Sequence, residues 1–236
     1  METSLHRELK RLYAGDEATL EVPLGQYRID AIADGRLVEI QHGALGAIRD
    51  KIRELVTTHH VLVVKPIVVR KLLVKLDGKG GAVTSRRLSP RRGKLLDLFD
   101  DLVHFTRAFP HAQLTLEVPL VDIEEWRYPG HGRRHRWRLA DFQVEDQRLL
   151  RVHETHRFHT AADLAALLPP GLPQPFHTGQ LAEAMEIPRW LSGRITYCLS
   201  HMGAARRIGK AGNWWLYELI EPTRRRKGRG RKRASA

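Results

Sequence analysis

The sequence predicts an α/β protein, a mixed sheet flanked by helices, followed by a small C-terminal domain of three helices and a hairpin. Three observations carry this. Over residues 4–69, amphipathic helical patterns and β-branched runs come in the order helix, three strands, helix, strand. Over residues 160–222, three short helical patterns lead into a hairpin pattern. With 236 residues, 42% of them hydrophobic, the chain has room for one large or two small cores and is too apolar to be wholly disordered.

Residues 4–13 place Leu5, Leu9 and Leu12 on one side of a helix capped by Thr3 or Ser4. Strand patterns follow at 18–24, 26–33 and 36–41. Gly43 breaks the run, and 45–57 returns to helical spacing through Leu45, Ile48, Ile52, Leu55 and Val56. His60 to Val69 is a β-branched run, interrupted by Lys65-Pro66, that reads as a buried strand. A hairpin is expected from 68–76 and 82–87 around Asp77-Gly78-Lys79-Gly80-Gly81, then a helix over 94–108 built on Leu95, Leu98, Leu102 and Phe105, then a strand at 113–121. Thr19 to Leu24 recurs as Thr115 to Leu120 with unmatched flanks, which reads as two similar edge-type strands rather than a duplicated domain. The expected division is an α/β domain with its extension over 1–121, a basic connecting segment over 122–159, a helical domain over 160–222 and a disordered basic tail over 223–236.

Charge narrows the partners. Lys and Arg number 40 against 27 Asp and Glu, a formal net charge of +13. Eight Lys and Arg lie between Thr223 and Ala236, where there is no acid, so the rest of the chain carries only +5. Such a run repels itself, yet it condenses onto a polyphosphate and releases counterions; the plainer reading is a solubilising tail. A second basic cluster runs from Arg127 to Arg138 and interleaves Tyr128 and Trp137, as a nucleic-acid surface does. No stretch approaches the roughly 18 apolar residues of a spanning helix, and Met1 to His6 turns charged without the apolar core of a signal peptide. Cys198 is the only cysteine, which excludes a disulfide framework and a thiolate zinc cluster. The expectation is a cytoplasmic protein with no membrane partner. His153, His156 and His159 have a spacing that suggests zinc, but no Cys or Glu-x-x-His frame accompanies them, and they read as ordinary polar residues. Phosphate-loop and serine-elbow motifs are absent, so ATP-driven and serine-hydrolase chemistry drop out.

The most informative segment is Tyr27 to Gln41. Asp34-Gly35 suits a two-residue type I′ turn that sets Ala33 opposite Arg36, and counting back sets Asp30 opposite Glu39. Alternation then puts Arg28, Asp30, Leu37, Glu39 and Gln41 on one face and Ile29, Ala31, Val38 and Ile40 on the other. Facing carboxylates destabilise each other unless a cation lies between them. Mg²⁺ or Mn²⁺ held by Asp30, Glu39 and the carbonyl of Ile40 would meet that need and leave room for a substrate phosphate. An exposed strand face whose acids happen to pair is the other reading.

A helical Glu8, an Asp on one strand, Glu39-Ile40-Gln41 on the next and a helix after it resemble the PD-(D/E)XK nuclease superfamily, whose core order matches residues 4–69. The resemblance implies a PD-(D/E)XK-like mixed sheet, Asp30 and Glu39 as metal ligands and Glu8 as an accessory acid. Gln41 stands where that superfamily usually has Lys. Some members recruit a Lys from the following helix, and Lys51 or Arg49 could serve there.

In 160–222, Thr160 to Asp163 has capping-box spacing and Pro169-Pro170 ends the first helix. A second helix covers 178–185 and a third 189–202, with Leu191, Ile195, Cys198 and Met202 inward; 205–208 and 214–219 make the hairpin. Three helices and a hairpin resemble a winged helix-turn-helix domain. That resemblance implies a third helix in the DNA major groove, with Arg189, Ser192, Thr196 and Ser200 outward, and a wing carrying Arg206, Arg207 and Lys210. Trp215 and Tyr217 alternate with Leu219 and read as core. A winged helix used for protein contacts is the alternative. The whole reads as a metal-dependent DNA endonuclease targeted by a winged helix, or else as a non-catalytic DNA-binding or regulatory protein with a degenerate nuclease-like core.

Overall fold

The computed structural model of the chain describes residues 2–15, 19–130 and 141–220. Among them, an eight-stranded mixed sheet runs in the order β1, β2, β3, β4, β7, β5, β6, with β8 paired to β7, and helices flank it.

Helix α1 (Ser4–Ala14) forms because Leu5 and Leu9 bury completely on one stripe while Thr3 accepts the His6 amide at its start. Gly15, at φ 68°, ends it. Strands β1 (Thr19–Leu24), β2 (Tyr27–Ala33) and β3 (Arg36–Ile40) make an antiparallel meander. Asp34 and Gly35 both take positive φ, 50° and 71°, so the type I′ turn forms and Ala33 pairs with Arg36. A 3₁₀ turn at Leu45–Ala47 and helix α2 (Arg49–Leu55) then cross over the sheet to β4 (Val61–Val64), parallel to β3.

Lys65-Pro66 divides what reads as one strand into two. Pro has no amide to give a ladder, so β4 ends there and β5 (Ile67–Leu76) resumes farther along the same neighbour. That neighbour is β7 (Leu114–Pro129): β4 pairs with Leu114–Glu117 and β5 with Leu120–Arg127, both parallel. Strand β6 (Val83–Leu88) completes the expected hairpin with β5.

Two expectations fail here. The strand expected to stop at residue 121 continues to Pro129, and the supposed connecting segment 122–159 supplies both that continuation and the 17-residue β8 (Phe142–Phe158), antiparallel to β7. The second Thr-Leu-Glu-Val-Pro-Leu copy is therefore central, not edge-type. Its Pro119 is accommodated because the ladder with β8 shifts register between Pro119 and Val121. The helix expected over 94–108 is a 3₁₀ turn at Leu95–Asp97 and a short α3 (Leu98–Leu102). Beyond it, i→i+3 bonds such as Phe105 N–H to the Leu102 carbonyl tighten the chain and fold Phe105 and Phe109 inward.

The central strands are buried on both sides, as parallel strands must be. Val61 and Val63 face α2 and α3 with Leu37, Ile52, Phe99 and Phe105, while Leu62 and Val64 face α1 with Leu5, Leu9, Val38 and Ile40. Residues 160–220 hold α4 (Ala161–Ala165), α5 (Thr178–Ala184), α6 (Arg189–His201) and the hairpin β9 (Ala205–Ala211) and β10 (Trp214–Leu219). Leu164, Phe176, Ile195 and Leu199 belong to the same continuous core as Phe99 and Phe105, and Arg194 of α6 pairs with Asp100 of α3. Burial pushes the Cys198 thiol up to about 12, so it packs as a small hydrophobe.

A shared core predicts shared unfolding. Urea denaturation should give one transition, coincident by far-UV circular dichroism and tryptophan fluorescence, and Leu199→Ala should lower stability by about 2–5 kcal/mol in that same transition. Two separable transitions would contradict a common core.

Candidate functional site

The β2–β3 ladder stops at Ala31 opposite Val38. One residue earlier, the Asp30 carboxylate takes the place of a backbone acceptor: its Oδ2 receives the Ile40 amide at 2.7 Å. The strand turns over at this point, so Ile29 packs on the α2 side and Ala31 on the α1 side, instead of sharing one face as strict alternation requires. Asp30 therefore meets α1. His6 Nε2 lies 3.1 Å and Lys10 Nζ 3.6 Å from its Oδ1. Burial opposes ionisation of Asp30, but the bonds from His6 and the Ile40 amide outweigh it, and the carboxyl sits below its ordinary value.

Glu39 is 5% exposed and faces α2, where Lys51 Nζ lies 2.5 Å from its Oε1 and donates to the Arg28 carbonyl at 2.6 Å. The Lys51 contact is a close ion pair without hydrogen-bond alignment, which leaves Oε1 with no aligned donor. Burial pushes the Glu39 carboxyl up, Lys51 pulls it back, and nearby Asp30 pushes it up again, for a net rise. The two carboxylates thus stand near each other where β2 and β3 part, but not on one face as the alternation predicts: Asp30 turns to Lys10 of α1 and Glu39 to Lys51 of α2.

The other expected residues are placed differently. Glu8 does not reach Asp30: its carboxylate accepts the Leu149 amide at 2.6 Å and ties α1 to β8. Gln41 donates to the Ala44 carbonyl at 2.9 Å and shapes the loop beyond β3. Ile40 makes its contact to Asp30 through its amide rather than its carbonyl. Of the two helical cations, Lys51 faces the site, while Arg49 turns to its neighbour Asp50.

Sequence reasoning missed Glu2, His6 and Lys10. The spacing of four puts His6 and Lys10 on one face of α1 beside the Leu5–Leu9 stripe, with Glu2 just before the cap, and that was the available signal. Lys10 is buried, with Glu2 at 2.7 Å and Glu21 in direct contact. Glu21 holds a left-handed backbone at φ 55°, a conformation that costs a non-glycine residue about 1–3 kcal/mol and that clusters at functional sites. Arg28 reaches Glu21 at 2.5 Å. His6, Lys10, Glu21, Arg28, Asp30 and His42 line an open cleft of about 530 Å³. Lys65 shapes its rim, donating to the carbonyls of His42 and Gly43 at 3.1 and 2.6 Å. Among the described residues, no group of three or more His, Cys, Asp or Glu is arranged to hold a metal, and His153 pairs with Asp122 instead.

In α6, Ser192 and Thr196 point inward, not outward. Ser192 donates to the Thr178 carbonyl at 2.8 Å, and Thr196 to the Ser192 carbonyl at 3.0 Å, because α6 is covered by α5 on that side. Ser200 Oγ is likewise buried. Arg189 is exposed above the Trp214 ring, and Arg206 pairs across the hairpin with Glu218 at 2.7 Å. Arg207 and Lys210 lie over Trp215. Trp215 is 41% exposed although Tyr217 is buried: Arg207 lies over both rings, so they share one face of β10, and only Tyr217 reaches the core, against Phe176. Of the basic cluster 127–138, Arg127 binds Glu125 and Tyr128 donates to Gln143 at 2.6 Å; residues 131–140 and the tail 223–236 lie outside the described residues. No helix of the described residues is long and apolar enough to cross a membrane.

The family described as Domain of unknown function (DUF8091) matches residues 3–159, a span that ends with β8. An uncharacterised protein of Treponema pallidum (strain Nichols) is 28% identical over 211 residues, covering 89% of this chain and 80% of that protein. No solved structure matches.

The two carboxylates have opposite linkage to stability. Asp30 is held below its ordinary 3.8, so its contribution is present above that pH and is lost as the pH falls through the folded value; Asp30→Asn should destabilise at pH 7 and much less at pH 3. Glu39 is held above its ordinary 4.5, so stability is lost as the pH rises through the folded value; Glu39→Gln should gain relative to wild type between pH 4 and pH 8. Thermal unfolding across this range reads both signs, and equal pH profiles for the two variants would contradict the assignment.

Proposed function

We propose that this chain, which belongs to the DUF8091 family, is a metal-dependent DNA endonuclease of PD-(D/E)XK type whose C-terminal helices and hairpin form a winged helix that holds the DNA. The observation that carries the reading is the proximity of Asp30 and Glu39 at the parting of β2 and β3, with Lys51 against Glu39. Two neighbouring carboxylates, Glu39 buried and Asp30 half-buried, are the oxygen donors that a hard divalent ion takes. Asp30, Glu39 and the carbonyl of Ile40 are the residues that would hold Mg²⁺ or Mn²⁺, with waters and the DNA phosphate completing the shell. The ion would supply positive charge that neutralises the negative charge developing on the scissile phosphate.

The chain's own groups do the rest. Lys51 stands in for the cation that Gln41 lacks, and its second bond to the Arg28 carbonyl keeps the ammonium directed at Glu39. His6 fixes the Asp30 carboxylate from α1, and Lys10 balances Glu2 and Glu21 at the mouth of the cleft. Exposed Arg28 is placed to meet a phosphate. A second reading, a non-catalytic DNA-binding protein, is favoured by one observation: Lys10 and Lys51 already stand against the two carboxylates.

Plasmid nicking in Mg²⁺ or Mn²⁺, stopped by EDTA, tests the choice. Asp30→Ala and Glu39→Ala should abolish nicking while DNA binding persists. Lys51→Ala should slow it by on the order of 10²- to 10⁴-fold, as removal of a positioned proton-transfer group does. Gln41→Ala should change it little. Absence of cleavage on duplex, single-stranded and branched DNA with both metals would establish the second reading.

A further inference from the structure

We infer that the α6–hairpin face binds unpaired stretches of DNA by stacking bases on Trp214 and Trp215. The inference rests on the reading of residues 160–220 as the DNA-holding unit and names its substrate form. Large indoles are seldom left in water without a use, yet Trp214 is 37%, Trp215 41% and Trp190 53% exposed. Each carries a cation over its ring: Arg189 at 5.3 Å from Trp214, Arg207 and Lys210 at 4.2 and 4.3 Å from Trp215, and Arg194 at 4.9 Å from Trp190. Arg194 is committed to Asp100. Among the described residues, no carboxylate pairs with Arg189, Arg207 or Lys210, whereas Arg206 is paired with Glu218. Free cations beside exposed indole faces match a ligand that alternates phosphates with aromatic rings.

The same geometry argues for unpaired bases over an intact duplex. A duplex offers base edges, which are read by polar side chains, Ser and Thr among them. In α6 those residues, Ser192 and Thr196, are turned inward and bound to backbone carbonyls, so the helix shows bulky aromatics instead. Indole faces need base faces, and a duplex hides these in its own stack. The Trp214 ring is already held in place, stacked on His177 at 5.0 Å, which lowers the ordering cost of binding.

Fluorescence anisotropy of the full-length protein with a labelled 20-nucleotide thymidine strand and with a duplex of equal length, at one salt concentration, tests this. The single strand should bind at least about 10-fold more tightly. Trp215→Ala should weaken single-strand binding by roughly 5- to 100-fold, Trp215→Phe should restore most of it, and duplex binding should be unchanged in both. Circular dichroism confirms that the variants fold. Equal or tighter binding of the duplex, an unchanged affinity in Trp215→Ala, or an equal loss for inorganic polyphosphate would overturn the inference and leave the DNA reading standing. No binding of either DNA at low salt would overturn both.

Discussion

Everything in the sheet depends on β7. This one strand is hydrogen-bonded along its whole length, to β4 and then β5 on one side and to β8 on the other. Most of this strand is also covered on its faces, and it carries three buried glutamates. Each is matched from a neighbouring strand or from β7 itself. Glu117 receives Arg157 at 2.6 Å, Glu124 receives the Trp126 indole at 2.8 Å, and Glu125, 2% exposed, receives Lys71 at 2.6 Å and Gln147 at 2.8 Å. Burial resists the charge on Glu125, but these partners outweigh it and hold its carboxyl below the ordinary value. Unmatched, such a charge would cost about 3–5 kcal/mol, so the pairings also specify which strands sit beside β7 and in what register.

The cleft at Asp30 applies the same rule at the end of a ladder. Where β2 and β3 stop pairing, a backbone amide needs an acceptor and two carboxylates need cations. Asp30 satisfies the first by taking the Ile40 amide, and α1 and α2 satisfy the second with Lys10 and Lys51. Helix α1 is clamped in position from the far side, where Glu8 accepts from Leu149 and Ser4 binds Asp146 of β8. The strand that reads least like a strand thus sets the depth of the candidate site.

The C-terminal helices follow from packing on two sides. Helix α6 is covered by α5 and by α3, so Ser192 and Thr196 serve as internal hydrogen-bonding groups and its exposed strip is left to Trp190, Arg194 and Tyr197. Trp215 and Tyr217 share one face of β10, but only Tyr217 meets the core, against Phe176, and Trp215 nearer the turn is left exposed. Both effects change which side chains this face presents without changing the order of its elements.

The sequence by itself determined what depends on neighbours a few residues away. The leucine stripe of α1, the Asp34-Gly35 turn with its register, the hairpin of β5 and β6, and the element order from α4 to β10 are all local patterns. The Glu39–Lys51 contact was within reach as well, because the helix after β3 had few cations to offer. Only the tertiary structure decided the rest. Strand β8 is rich in Arg, Glu and His, and it becomes a strand through pairing with β7, so no period within it marks its inner face. Which acid of α1 binds β8, which side of β2 Asp30 takes, and which face of α6 is covered are set by partners distant in sequence. Apolar periodicity states that a face is buried; a polar side chain's role is set by the unpaired donor or acceptor it meets there, and that group arrives from another part of the chain.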